Sequence, residues 1–198
     1  VAKITGCKIH RIEHRSPYNG TIENSTWDEY VYLLGRSWPK TKIPSAAGES
    51  ISLKVPSYIT ATMENTLVIP EGVTVTVDLA GKPVSADADA SDIKIINHGT
   101  LTLIDSSTGG TLSIPIENDG VLNANGGTVT SEVTNKGTIQ ATGTPVTKFT
   151  GTLVNEEGAS VTAGNFIDCT ITNNGGTIGG DAILEEPKPD PEQPGAGS

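Results

Sequence analysis

Ile95-Ile96-Asn97-His98-Gly99-Thr100-Leu101 returns as Ile116-Glu117-Asn118-Asp119-Gly120-Val121-Leu122, and again as Val133-Thr134-Asn135-Lys136-Gly137-Thr138-Ile139. The frame in each copy is an aliphatic residue, Asn two positions on and Gly two positions after that. Two further copies centre on Asn155, preceded by Leu153, and Asn173, preceded by Ile171, so the five Asn are spaced by 21, 17, 20 and 18 residues. Gly follows at 175 in the last copy and is displaced to 158 in the copy before it. A period near 19 with that variation is one coil of a β-solenoid, in which each repeat contacts only its neighbours.

A second series supports the same period. Gly-Thr-aliphatic occurs at Gly99, Gly110, Gly127, Gly137, Gly151 and Gly176, and upstream Val73, Val75, Val77 and Leu79 alternate with Thr74, Thr76 and Asp78 behind a Pro70-Glu71-Gly72 turn. Alternation of this kind is a half-buried strand. Stacked coils would pair their backbones about 4.8 Å apart and point aliphatic side chains inward. The recurring Asn is expected at a turn, in the left-handed conformation it tolerates, with its amide bonding the Asn of the next coil and Gly allowing the bend. Asn97, Asn118, Asn135, Asn155 and Asn173 therefore form a predicted structural ladder.

Two stretches carry a family resemblance. Leu67 to Leu79, with its Ile-Pro-x-Gly turn and Val-Thr-Val-Thr-Val-Asp-Leu run, and Gly99-Thr100-Leu101-Thr102-Leu103-Ile104-Asp105-Ser106-Ser107 resemble segments of the pectate-lyase-like right-handed parallel β-helices found in surface proteins of gut bacteria and their phages. The resemblance covers about residues 50 to 180 and specifies fold more closely than function. It implies a right-handed coil, and its phage fibres and spikes imply a homo-oligomer, commonly a parallel trimer. Gly81-Lys82-Pro83-Val84 departs from the pattern where an Asn-Gly turn and a clean strand are expected, so an irregular coil is expected there.

The segments on either side differ in character. Six of the eight aromatic residues fall within the first 58 positions. Thr26 and Glu29 have capping-box spacing, Gly35 suits a helix end, and Trp27, Tyr30, Val31 and Leu34 share one helical face, so a short helix over residues 27–34 is expected. With Trp38 and the nearby Arg11, His14, Arg15 and Arg36, this aromatic segment reads as a cap over the first coil or as a docking surface for a capsid, a cell-surface anchor or another subunit. At the other end Glu185 to Ser198 alternates proline with charge, the composition of an extended linker or stalk. The expected organisation is a cap or docking segment over 1–45, the solenoid over 46–184 and the linker over 185–198.

Charge and chemistry narrow the function. Thirteen Lys and Arg against 23 Asp and Glu give a net charge of −10, which disfavours nucleic acid and anionic membrane surfaces. There is no apolar run of spanning length, so membrane insertion is not expected. Cys7 and Cys169 are far apart and lack metal-ligand or CxxC spacing, so they read as buried or incidental thiols. Uronate lyases on such folds need a basic residue and clustered acids for calcium, yet Asn97 to Gly180 contains no Arg and only His98, Lys136 and Lys148 as bases. Hydrolases need carboxylates a few ångströms apart. Asp105, Glu117, Asp119, Glu132, Glu156, Glu157 and Asp168 are available, but the sequence holds no Asp-Asp pair. Asp87, Asp89 and Asp92 have the spacing of a calcium loop without its Gly and distal Glu, and read better as a solvated loop.

The sequence therefore predicts an all-β, right-handed parallel β-helix with a short N-terminal helical cap and a Pro-rich tail, without a cofactor. Its expected role is a non-enzymatic structural or attachment module, extracellular on a bacterial surface or a phage virion, in weak contact with glycans. A β-helix polysaccharide lyase or glycoside hydrolase and a carbohydrate-binding module are the alternatives.

Overall fold

The computed structural model describes residues 43–55, 61–88 and 92–185 in full, together with the backbone of six short strands between residues 3 and 32. Every strand pairing it contains is parallel, and among the described residues there is no helix. The chain winds as a β-solenoid of six coils, each laying one strand on each of three faces.

The first face stacks Ser50–Lys54, Thr74–Asp78, Thr100–Ile104, Val121–Asn125 and Thr138–Gln140, then the start of Ser160–Ile167. The second stacks Ala61–Met63, Pro83–Ala86, Thr111–Ser113, Thr128–Val129 and Lys148–Phe149, then the end of Ser160–Ile167. On the third, Leu67–Ile69, Ile95–Asn97, Ile116–Asn118, Glu132–Asn135, Thr152–Asn155 and Thr170–Asn173 form a six-stranded sheet. Ser160–Ile167 turns the corner without a break, and Thr177–Glu185 lies along it as the last strand, with a register shift between Val161 and Ala163.

Alternation in sequence becomes columns in space. Ile51, Val75, Leu101, Leu122, Ile139 and Val161 are register partners of one another and all are buried. Each such side chain contributes about 1.5–3 kcal/mol through removal from water. Facing columns run through Leu112, Val129, Phe149 and Phe166, and through Ile95, Ile116, Val133 and Leu153. Phe149 and Phe166 stack with ring centroids 4.7 Å apart and planes at 11°.

One expectation is corrected. The coil at Gly81-Lys82-Pro83-Val84 is regular: Pro83–Ala86 pairs in register on both sides, and Ala80 and Gly81, with φ of 51° and 73°, make the turn that an Asn-Gly pair was expected to supply. Proline is tolerated because it opens the strand, where a missing N–H costs least. Of the window 27–34 expected to be a helix, residues 28–30 and 33–34 lie outside the described residues, and the described backbone there is strand, Thr26–Trp27 and Val31–Tyr32, paired with Lys8–Ile9 and Ile12–Glu13. Val31 is in turn the register partner of Leu53. A strand satisfies the backbone groups at the edge of the first coil, which a helix laid across it would leave unpaired, and Trp, Val and Tyr suit a strand as well as they suit a helix face. Tyr30, Leu34 and Trp38 lie outside the described residues, as do Cys7 and the Pro-rich tail from residue 186. The N-terminal pairs Lys3–Thr5 with Thr21–Glu23 and Lys8–Ile9 with Thr26–Trp27 are 18 residues apart, close to the coil period downstream.

Candidate functional site

The predicted Asn residues come together in one buried seam at the end of the third face. Asn97 donates to the side-chain oxygen of Asn118 at 2.6 Å, Asn118 to Asn135 at 2.8 Å, Asn135 to Asn155 at 2.8 Å and Asn155 to Asn173 at 3.0 Å. The same nitrogens also reach backbone carbonyls of Val121, Thr138, Ser160 and Thr177 in the coils above. At the lower end Asn97 rests on Ile69, its register partner, and its side-chain oxygen has no hydrogen-bond partner. At the upper end Asn173 is exposed and turns its amide to the Gly176 carbonyl at 2.9 Å.

The turn geometry differs from expectation. None of these Asn has a positive φ; they are the last residues of extended strands, with the amide directed along the stack. The Gly residues that follow are required by proximity: a Cβ on Gly120 would strike the Gly99 carbonyl, and one on Gly137 the Gly120 carbonyl. In the longer Asn155 turn Ala159 precedes the next strand, and Gly158, at φ 79°, takes the bend.

Immediately outside the seam runs a column whose members His98, Asp119, Lys136 and Glu156 the sequence offered only as separate candidate bases and acids. His98 Nδ1 lies 3.0 Å from Asp119 Oδ2, and Lys136 Nζ lies 4.0 Å from Asp119 Oδ1. Two coils on, the Asn174 amide donates to Glu156 at 3.1 Å. A neighbouring row pairs Lys94 with Glu117 at 2.7 Å. These groups are exposed enough that each contact contributes at most about 1 kcal/mol. Their signal in the sequence is the residue after each Asn: His98, Asp119, Lys136, Glu156 and Asn174.

A second polar cluster occupies the end of the first face. Asp78 is fully buried; one oxygen accepts from the N–H groups of Ala80 and Ser106, both at 2.9 Å, and the other sits 3.1 Å from Lys54 Nζ. Burial pushes the Asp78 carboxyl up, but its hydrogen bonds with Ser106, Lys54 and Ala80 outweigh burial and hold it below the ordinary value. Lys54 also donates to the Ser106 hydroxyl at 2.9 Å. Next to it Asp105 accepts from the N–H groups of Gly81 at 2.6 Å and Gly110 at 2.8 Å, tying two turns together.

Between these corners the outer surface of the first face is a lattice of short polar side chains. Ser52, Thr76, Thr102, Asn123 and Gln140 share one row. Asn123 donates to Thr102 at 3.1 Å and Gln140 to Asn123 at 2.9 Å, so the row is cross-linked along the stack.

The remaining candidates are placed as follows. Asp87 donates its N–H to the Met63 carbonyl, and Asp92 has φ 61° and accepts from the Thr66 hydroxyl at 3.4 Å; Asp89 lies outside the described residues. Glu132 accepts from the Thr134 hydroxyl at 3.4 Å, and Asp168 occupies a turn at φ 54°. Among the described residues no three His, Cys, Asp or Glu side chains come close enough together to hold a metal ion. Cys169 is a buried free thiol whose pKa is raised by burial.

Fold and site together define a parallel β-solenoid stiffened by an internal Asn ladder. No protein-family model, curated protein or solved structure gives a significant match to this chain.

Proposed function

We propose that this chain is a non-catalytic structural and attachment module, right-handed in its winding and displayed outside a bacterial cell or on a phage particle. One observation carries this reading: four of the seven candidate carboxylates, Asp105, Glu117, Asp119 and Glu156, are engaged as ties along the stack. Asp105 is bound to two backbone N–H groups, Asp119 to His98, Glu117 to Lys94 and Glu156 to Asn174. General acid and base work needs groups free to meet a substrate, and these are strung along the stack as cross-ties. Parallel strand–crossover–strand connections are right-handed in nearly all proteins, which supports the handedness. The resemblance of the Leu67 to Leu79 and Gly99 to Ser107 motifs to surface and phage β-helices is the ground for the location, and the polar lattice of the first face is the ground for weak contact with glycans.

The test is incubation with uronate polysaccharides, following both unsaturated products and new reducing ends, beside a screen of immobilised glycans. No turnover together with weak retention on at least one glycan class is the expected result. Turnover that disappears in Asp119→Asn or Asp105→Asn would overturn the proposal in favour of a β-helix polysaccharide-cleaving enzyme.

A further inference from the structure

We propose that the Asn174-Gly175 turn is a site of spontaneous modification by water, at which the Asn174 carboxamide becomes a carboxyl and its tie to Glu156 becomes a repulsion. Three Asn-Gly pairs stand in the sequence, Asn19-Gly20, Asn125-Gly126 and Asn174-Gly175, and the first lies outside the described residues. Asn is a thermolabile side chain, most so before Gly, where the next backbone nitrogen can reach its Cγ with no Cβ in the way. The Gly nitrogen forms a bond to Cγ, and the side-chain nitrogen leaves as ammonia, taking the proton that the Gly N–H gives up. A cyclic succinimide remains, and water opens either of its carbonyls to give Asp or isoaspartate. No oxidant, reductant or reactant besides water is needed.

The two described pairs differ in what holds them. Asn125 is half-buried; its side-chain oxygen accepts from the N–H groups of Thr142 at 2.8 Å and Gly143 at 3.1 Å, and its amide donates to the Thr142 hydroxyl at 2.9 Å. The attacking atom is occupied there as well, since Gly126 is buried and donates its N–H to the Thr147 hydroxyl at 3.1 Å. Asn174 and Gly175 are both exposed. In the turns below them, Gly120 and Gly137 give their N–H groups to the carbonyls of Asn97 and Asn118, both at 2.9 Å. At the last turn Asn174 alone makes the corresponding bond, to the Asn155 carbonyl at 2.8 Å, and among the described residues the Gly175 N–H has no partner. Gly175, at φ 105°, lies over Glu157 of the longer Asn155 turn. Its nitrogen is open to attack Cγ, and the Asn174 side chain is restrained by the single contact from its amide to Glu156 at 3.1 Å. Conversion leaves two carboxylates facing each other where an amide had donated to one, and like charges at that spacing repel. The isoaspartate form also lengthens the backbone of the turn that Asn173 closes by donating to the Gly176 carbonyl, and Thr177–Glu185 follows directly from that turn.

The experiment is incubation of the full chain at mildly alkaline pH, with peptide mapping by mass spectrometry for the exchange of NH for O and enzymatic methylation of isoaspartate as a second readout. Asn174 is expected to convert at least about tenfold faster than Asn125, because Asn125 reacts only after several hydrogen bonds have opened together. In urea, where both turns are lost, the two rates should come together. Asn174→Asp, which reproduces one product, should speed backbone hydrogen exchange in Thr177–Glu185, and adding Glu156→Gln should restore the protection. Equal rates at the two positions in the folded chain, or a faster rate at Asn125, would overturn the proposal. So would an Asn174 that stays intact over a period in which the urea-unfolded chain converts. Hydrogen exchange in Thr177–Glu185 that is indifferent to Asn174→Asp would overturn the claim that the lost tie becomes a repulsion.

Discussion

Asn118 gives one N–H to the side-chain oxygen of Asn135 at 2.8 Å and also reaches the backbone carbonyl of Thr138 at 3.1 Å, so a single amide fastens two successive turns. Each rung contributes about 1 kcal/mol net, but a rung removed from the middle leaves a buried donor and a buried acceptor unpaired at about 1–3 kcal/mol each. Asn135→Ala is therefore expected to lower unfolding free energy by about 2–4 kcal/mol in urea denaturation. Asn173→Ala, at the exposed end, should cost less than about 1 kcal/mol. Asn97→Ala should fall between them, because its own oxygen is already unpartnered. Equal costs at all three positions would show that the seam does not act as a ladder.

The glycines beside the seam predict a contrast that depends on space alone. Gly137→Ala places a methyl against the Gly120 carbonyl and must push two coils apart, whereas a Cβ on Gly179 meets nothing within 4 Å. Thermal unfolding should show a loss of about 3 kcal/mol or more for the first and a change within about 0.5 kcal/mol for the second.

Aromatic packing is concentrated at one level of the stack. Phe166 is fully buried against Phe149, and Phe166→Ala should cost about 3–5 kcal/mol. Phe166→Leu should recover most of that loss, and chemical denaturation of the two variants side by side measures the difference.

Asp78 gives a prediction in pH. Its carboxyl is depressed on folding from an ordinary value of 3.8, so its contribution is fully present above that value and is lost as pH falls through the lower, folded pKa. Asp78→Asn should therefore be less stable than the parent at neutral pH by about 1–3 kcal/mol. The gap should narrow as the pH is taken below about 4. A gap that stays constant to strongly acid pH would mean that the charge on Asp78 is not what stabilises this corner.

The coils were legible because their constraints are local and repeat. An inward aliphatic at Ile95, Ile116, Val133, Leu153 and Ile171 with Asn two positions later leaves a mark in five of the six turns, and it places the third face without further information. Two kinds of residue resisted the same reading. Trp27 and Val31 fit a helix face and a strand equally well, and the neighbouring strand that decides between them lies 19 residues away for Val31. The Lys54–Asp78 pair was invisible because neither residue repeats: the same register position is Ile in the next coil and Asn in the one after. Left-handed Asn was expected from turn statistics, whereas the seam uses the amide and leaves the backbone extended.

The unbroken strand at the last corner has a mechanical consequence. Thr128–Val129 and Lys148–Phe149 meet over two residue pairs and could be peeled apart a bond or two at a time. Ser160–Ile167 and Thr177–Glu185 are joined by seven, spread across two faces. Tension applied at residue 185 along its strand must shear all seven together, so the stack is gripped hardest at its last strand.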